Sequence, residues 1–276
     1  MVSEGWLVGH GGAPVFHRFA VPDAPRAAVL LLHGYSEHSG RHLATLRDLA
    51  EHGFAVFAPD HRGHGRTAQV PGLIRNVNEV LADIGILHRR ALERCPGAPV
   101  FVLGHSMGGL LALRYSQLHG ECLAGLIVNG PAIEVPESIP RTMVALARVV
   151  GRLAPRLPVQ SFHDPKRGHA NAEQHAVDAD DPLIYRGRIR AGTGATLYRT
   201  IRQTRSDLHR VSTPLLVTAG ASDQTVPPSV VQRVHDGVRS SDRTAHLFAG
   251  LRHEVYLEHH APDVRDLWRS WMETRL

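Results

Sequence analysis

The sequence predicts an α/β chain built on a mostly parallel sheet, and three observations lead there. Short aliphatic runs recur, each ending in Gly, Asp or Pro: residues 27–34 (AAVLLLHG), 54–60 (FAVFAPD), 99–106 (PVFVLGHS), 123–131 (LAGLIVNGP), 213–220 (TPLLVTAG) and 244–250 (TAHLFAG). Runs that are apolar along their length suit strands buried on both faces, as in a parallel sheet. Helix-length amphipathic stretches separate most of them, which implies right-handed crossovers between successive strands. Finally, 276 residues allow one well-buried core but not two ordinary domains with linkers.

The elements follow in order. Residues 6–19 (WLVGHGGAPVFHRF) read as a hairpin turning at Gly11-Gly12, the antiparallel edge of the sheet. Residues 42–53 place Leu43, Leu46, Leu49 and Ala50 on one helix face and stop at Gly53, a good helix end. The stretch from Asn78 to Arg94 repeats that pattern. Between Pro131 and about Arg210 the alternation lapses, with no strong strand signal. The expected division is a core of residues 1–130 and 211–276 carrying a lid of residues 131–210. The lid would sit over the carboxyl edge of the sheet, where open α/β folds bind ligands.

Composition narrows the partners. A net charge of +5 invites nucleic acid, but every basic residue except Lys166 is Arg, and they are scattered. No basic block with interleaved aromatics occurs, so a nucleic-acid partner is not expected. Cys95 and Cys122 do not make a disulfide framework. The opening MVSEGWLVGHGG lacks the basic start and apolar run of a signal peptide. The longest aliphatic run, residues 27–32, is far short of the roughly 20 residues of a membrane span, so a cytoplasmic protein is expected. None of the twenty histidines falls in an HExxH pattern or beside a Cys pair at zinc spacing, so no metal is expected.

Residues 104–108, Gly-His-Ser-Met-Gly, fit G-x-S-x-G directly after the strand PVFVL and before the helical stretch LLALRYSQLHG. That setting resembles the nucleophile elbow of α/β-hydrolases, in which Gly104 and Gly108 leave room for a strained turn that exposes Ser106. A helix beginning after Ser106 aims its amides where negative charge will develop. A serine nucleophile needs a general base, and the base needs a carboxylate to fix its tautomer. In such folds the chain order is Ser, acid, His, each on a loop after a strand. Asp223, after the run at 213–220, is the candidate acid, and His253, after the run at 244–250, is the candidate base. Asp60 also ends a strand but precedes Ser106, so it reads as a loop organiser tied to backbone amides. Glu254 reads as serving local structure. The oxyanion donors expected are the backbone N–H groups of Met107 and Tyr35, with Gly34 permitting the close turn.

Further motifs sharpen the resemblance. His33-Gly34 with Glu37-His38-Ser39-Gly40-Arg41, DHRGHG at 60–65, GHSMGG at 104–109 and Asp181-Pro182-Leu183 look like the monoacylglycerol lipase and lysophospholipase group, an S33-type branch of the α/β-hydrolases. The resemblance implies an eight-stranded sheet with helices on both faces, a helical lid, no cofactor, and hydrolysis of the single acyl chain of a monoglyceride, lysolipid or related ester. It also implies that Glu37 and Arg41 form a structural ion pair beside the oxyanion hole. The chain departs from the pattern at Tyr35, bulky where many members have a small residue, at His42 where Tyr is common, and at Tyr256 where some carry a second His.

Within the lid, Ile139, Met143, Leu146, Val150 and Leu153 cluster on one helix face, with Arg141, Arg148 and Arg152 opposite. Pro140 suits the first turn, and Pro155 ends the helix. The apolar face would roof the acyl pocket; the same pattern also fits a helix lying on an anionic bilayer. A small-ester esterase, another triad-dependent hydrolase (acting on C–C bonds, peracids or peptides) and a ligand-binding receptor remain as alternatives.

Overall fold

A computed structural model describes residues 1–134, 149–160 and 168–276. One sheet has the order β1-β2-β4-β3-β5-β6-β9-β10, from Ser3–Val8 (β1), Pro14–Ala20 (β2), Ala27–Leu32 (β3), Phe54–Pro59 (β4), Val100–His105 (β5), Gly125–Asn129 (β6), Leu215–Gly220 (β9) and Arg243–Phe248 (β10). Only β2 runs against its neighbours, pairing antiparallel with β1 and with β4; every other ladder is parallel. The expected hairpin is therefore the antiparallel edge, turning through His10–Gly12 with Gly11 and Gly12 at positive φ.

Seven helices are complete among the described residues: α1 (Leu43–Glu51), α2 (Val77–Arg94), α3 (Met107–His119), α4 (Ala172–Asp180), α5 (Ala191–Ser206), α6 (Val230–Gly237) and α7 (Ala261–Glu273). The aliphatic strands supply two cores because successive side chains alternate between faces. Leu30, Leu32, Val100, Val102 and Val217 pack beneath α2, α3 and α6, whereas Val29, Leu31, Phe101, Leu103 and Leu216 pack with α1 and α7, including the fully buried Trp268.

Three expectations need correction. The run at 244–250 is not buried on both faces: β10 is an edge strand exposed from Arg243 through Leu247. The lid stretch does contain strands, Pro158–Gln160 (β7) paired with Ile189–Arg190 (β8), too short to leave a sequence signal. Leu153 does not face a pocket roof but is 79 % exposed, beside Val149 at 57 %. Residues 149–153 are helical and stop before Pro155, and Val150 is half-buried. Ile139, Met143, Leu146, Pro140, Arg141 and Arg148 lie outside the described residues.

Candidate active site

β5 delivers Ser106 at φ 52°, ψ −112°, a left-handed backbone that costs a non-glycine residue about 1–3 kcal/mol. The turn is held from both sides. Ser106 N–H donates to the Asn129 carbonyl at 2.9 Å, and the Ser106 carbonyl accepts from Leu110 and Ala132 at 3.0 Å each. Two glycines allow so sharp a turn: a Cβ on Gly104 would strike the Gly108 carbonyl, and one on Gly108 would strike the Leu32 carbonyl. α3 starts at Met107, so the first amides of that helix, which lack intrahelical acceptors, surround the serine.

Asp223 sits in the turn after β9. Its Oδ1 accepts from the backbone N–H groups of Thr225 at 2.7 Å and Val226 at 2.9 Å, and its Oδ2 lies 2.6 Å from His253 Nδ1. An acceptor-only carboxylate at that distance puts the proton on Nδ1 and leaves Nε2 with its lone pair. Burial pushes the His253 pKa down, but the hydrogen bond and charge of Asp223 outweigh it, and the net shift is upward. The His253 ring is tilted against that of His105, 4.6 Å between centroids. Asn129, which the sequence reading passed over, organises this side. Its amide donates to His105 Nδ1 at 3.0 Å and the His253 carbonyl at 3.4 Å, while its oxygen accepts from Thr218 at 3.0 Å. A polar residue closing the otherwise aliphatic run GLIVN was the signal available in the sequence.

The loop after β3 has a defined tautomer at its root. His61 N–H donates to His33 Nε2 at 2.9 Å, so His33 Nδ1 carries the proton and donates to the Gly34 carbonyl at 2.7 Å. In a trans peptide the N–H points opposite the C=O, so tethering the Gly34 carbonyl aims the Tyr35 N–H the other way. Complete burial lowers the His33 pKa to about 3, which keeps the ring neutral and this tautomer in place. Gly34 N–H donates to Glu37 Oε1, and a Cβ on Gly34 would lie 3.2 Å from that of Ser106. Ser36 follows at φ 68°, and its carbonyl accepts from Tyr185 N–H at 2.8 Å. The Tyr35 side chain ties the loop outward, its hydroxyl donating to Gly72 at 3.2 Å. Asp60 binds backbone N–H groups of Ser39 and Arg66, both at 2.8 Å.

Glu37 and Arg41 pair at 3.3 Å, but as one edge of a larger cluster. Arg41 also reaches Glu254 at 2.6 Å and Asp178 of α4 at 2.5 Å. Glu37 Oε2 accepts from the Tyr256 hydroxyl at 2.6 Å, and the Tyr256 ring stacks on His42 at 4.2 Å. Burial alone would raise the Glu37 pKa, yet the contact with His42 and the charge of Arg41 bring it well below the usual range. Asp178 is lowered too, its burial overcome by the His169 hydrogen bond and Arg41. His169, Asp178 and Glu254 lie at metal-ligand spacing, but the Arg41 guanidinium already bridges both carboxylates. Arg41 is thus the hub joining the loop after β3, the loop of His253 and α4.

The family model described as "Serine aminopeptidase, S33" matches residues 23–260. The chain belongs to that S33 family. Its sheet and helices are those of an α/β-hydrolase, so it is a serine hydrolase by fold and family. A monoacylglycerol lipase of Mycolicibacterium smegmatis is 32% identical over 275 residues, 99% of this chain and 98% of that protein. A Homo sapiens monoglyceride lipase is 28% identical over 91% of this chain and 84% of its own length. The crystal structure of a Paleococcus ferrophilus monoacylglycerol lipase superposes with a TM-score of 0.86 at 27% identity, covering 95% of this chain and 99% of that one. Among the described residues no helix is long and apolar enough to cross a membrane.

Proposed function

We propose that this protein is a carboxylic-ester hydrolase acting on lipids with one apolar acyl chain, of the monoacylglycerol or lysophospholipid type, through an acyl-enzyme on Ser106. The observation that carries the reading is the Asp223–His253 pair at 2.6 Å, on loops at the same sheet edge as the strained turn of Ser106. His253 Nε2 takes the Ser106 proton as Oγ attacks the ester carbonyl, and Asp223 stabilises the imidazolium. The Met107 and Tyr35 amides hold the oxyanion. His253 then protonates the leaving alcohol and activates water against the acyl-enzyme. The full-length similarity to lipases supports the lipid substrate. On the lid, exposed Val149, Leu153, Leu157 and Val159 beside Arg152 and Arg156 give an aliphatic surface with basic flanks. That surface supports peripheral contact with an anionic membrane.

A panel of p-nitrophenyl esters from acetyl to palmitoyl, with monoacylglycerols and lysophospholipids, tests the reading. Turnover should favour medium and long chains and vanish in Ser106→Ala. Turnover of acetyl and butyryl esters alone would replace the lipid substrate with a small ester. Activity retained in Ser106→Ala would sink the nucleophile.

A further inference from the structure

A cavity of about 460 Å³ opens far from Ser106, between the β1–β2 hairpin and the last turns of α2. α2 ends at Arg94 and β5 begins at Val100, so this end of α2 lies at the amino edge of the parallel strands. Ser106 follows the carboxyl end of β5, about 20 Å along the strand. The floor is apolar, formed by Leu7, Phe19, Phe57 and Ile86. The rim carries Arg89, Arg90 and Arg94.

The charges at that rim do not cancel. Glu93 is paired with Arg90 at 3.1 Å, and Glu4 is held by Arg18 at 3.0 Å and Arg66 at 2.8 Å. Among the described residues no carboxylate pairs with Arg89 or Arg94; the Arg94 guanidinium instead lies 5.5 Å from the Phe19 ring centroid. Deeper in, His17 is 5% exposed, and its Nδ1 has no hydrogen-bond partner. Its pKa is lowered by burial, which outweighs a hydrogen bond with the Gly5 backbone. Two arginines without a carboxylate partner above an apolar floor together favour one negative group with an apolar body.

We propose that this cavity binds a single-chain carboxylate, the fatty-acid anion that the hydrolysis proposed above would release. The apolar floor disfavours a small inorganic anion, and the arginines disfavour the uncharged ester. The identity of the ligand's source rests on the proposed function; the binding does not.

The test uses the whole protein, with Ser106 first blocked by a hexadecyl fluorophosphonate so that the acyl pocket is filled. Decanoate below its micellar concentration is then titrated by calorimetry. One saturable site per chain is expected. Its Kd should weaken at least tenfold in Arg89→Gln/Arg94→Gln with unchanged circular dichroism, and decanol and inorganic phosphate should not compete. No saturable binding, or equal binding by the folded double variant, overturns the proposal. So does arginine-dependent binding of phosphatidylglycerol vesicles without decanoate binding, which would make the face a membrane contact. Failure of the label impeaches Ser106 instead, and the titration on Ser106→Ala then still reports on the cavity.

Discussion

The two nitrogens of His33 do separate jobs, and single substitutions can separate them. Nδ1 tethers the Gly34 carbonyl at 2.7 Å, and Nε2 receives His61 N–H at 2.9 Å. Asn carries its amide at the depth of Nδ1, and Gln carries its amide at the depth of Nε2. His33→Asn therefore keeps the tether to Gly34, whereas His33→Gln keeps the contact with His61 and frees the peptide that presents the Tyr35 N–H. Losing one neutral hydrogen bond costs about 1 kcal/mol, a roughly fivefold effect if the peptide only wavers. Losing the oxyanion donor outright costs roughly 10²–10³-fold. His33→Gln should thus lower kcat by about 10- to 100-fold with KM nearly unchanged, because the bond matters only when charge develops. His33→Asn should stay within about threefold of the wild type. Steady-state kinetics on a p-nitrophenyl ester give both constants, and a trifluoromethyl ketone mimicking the tetrahedral intermediate should lose affinity in step with kcat/KM. Equal losses in the two variants, or ketone affinity unmoved while kcat falls, would refute the assignment of the tether.

Three further outcomes follow from the same geometry. Asp223→Asn should lower kcat by about 10⁴-fold. It should also move the acid limb of kcat/KM to lower pH, because the carboxylate is what raises the His253 pKa against its burial; an acid limb that stays put in a pH–rate profile contradicts this. Arg41→Ala leaves Glu37, Asp178 and Glu254 without their shared cation, and should cost about 3–5 kcal/mol in urea unfolding, with Arg41→Lys recovering little because one ammonium cannot span three carboxylates. His33 and His64 are held neutral by burial to about pH 3, while the unfolded chain takes up those protons near pH 6.5. Stability should therefore fall as pH drops from 6.5 towards 3, by up to ~1.4 kcal/mol per pH unit for each such histidine, and His64→Phe should flatten that slope.

What could be read from the sequence was local or periodic. Ser106, Asp223 and His253 each follow a strand announced by a short run of apolar residues, and the structure brings the latter two into contact. The pairing of Glu37 with Arg41, which the family resemblance implied, is present at 3.3 Å. Aliphatic content alone could not tell a central strand from an edge one, since β10 has the pattern of a strand but neither face covered. The pair β7 and β8 has three and two residues, too few for any period to register.

The Arg41 hub was hidden for a different reason. Its partners Asp178 and Glu254 lie 137 and 213 residues along the chain, and nothing in either stretch marks a carboxylate as buried against a distant arginine. Yet this cluster couples what the sequence presents as separate parts. Glu37 holds Gly34 N–H with one oxygen and meets Tyr256 and Arg41 with the other. Arg41 in turn holds Glu254, the neighbour of His253, and Asp178 in the lid. A shift of α4 that withdrew Asp178 would leave Arg41 balanced by two carboxylates instead of three, drawing it towards Glu37 and Glu254 and away from the lid. The position of α4 and the geometry around Gly34 are therefore linked through one guanidinium. Asp178→Asn should accordingly change kcat as well as KM, although Asp178 contacts neither Ser106, Asp223 nor His253.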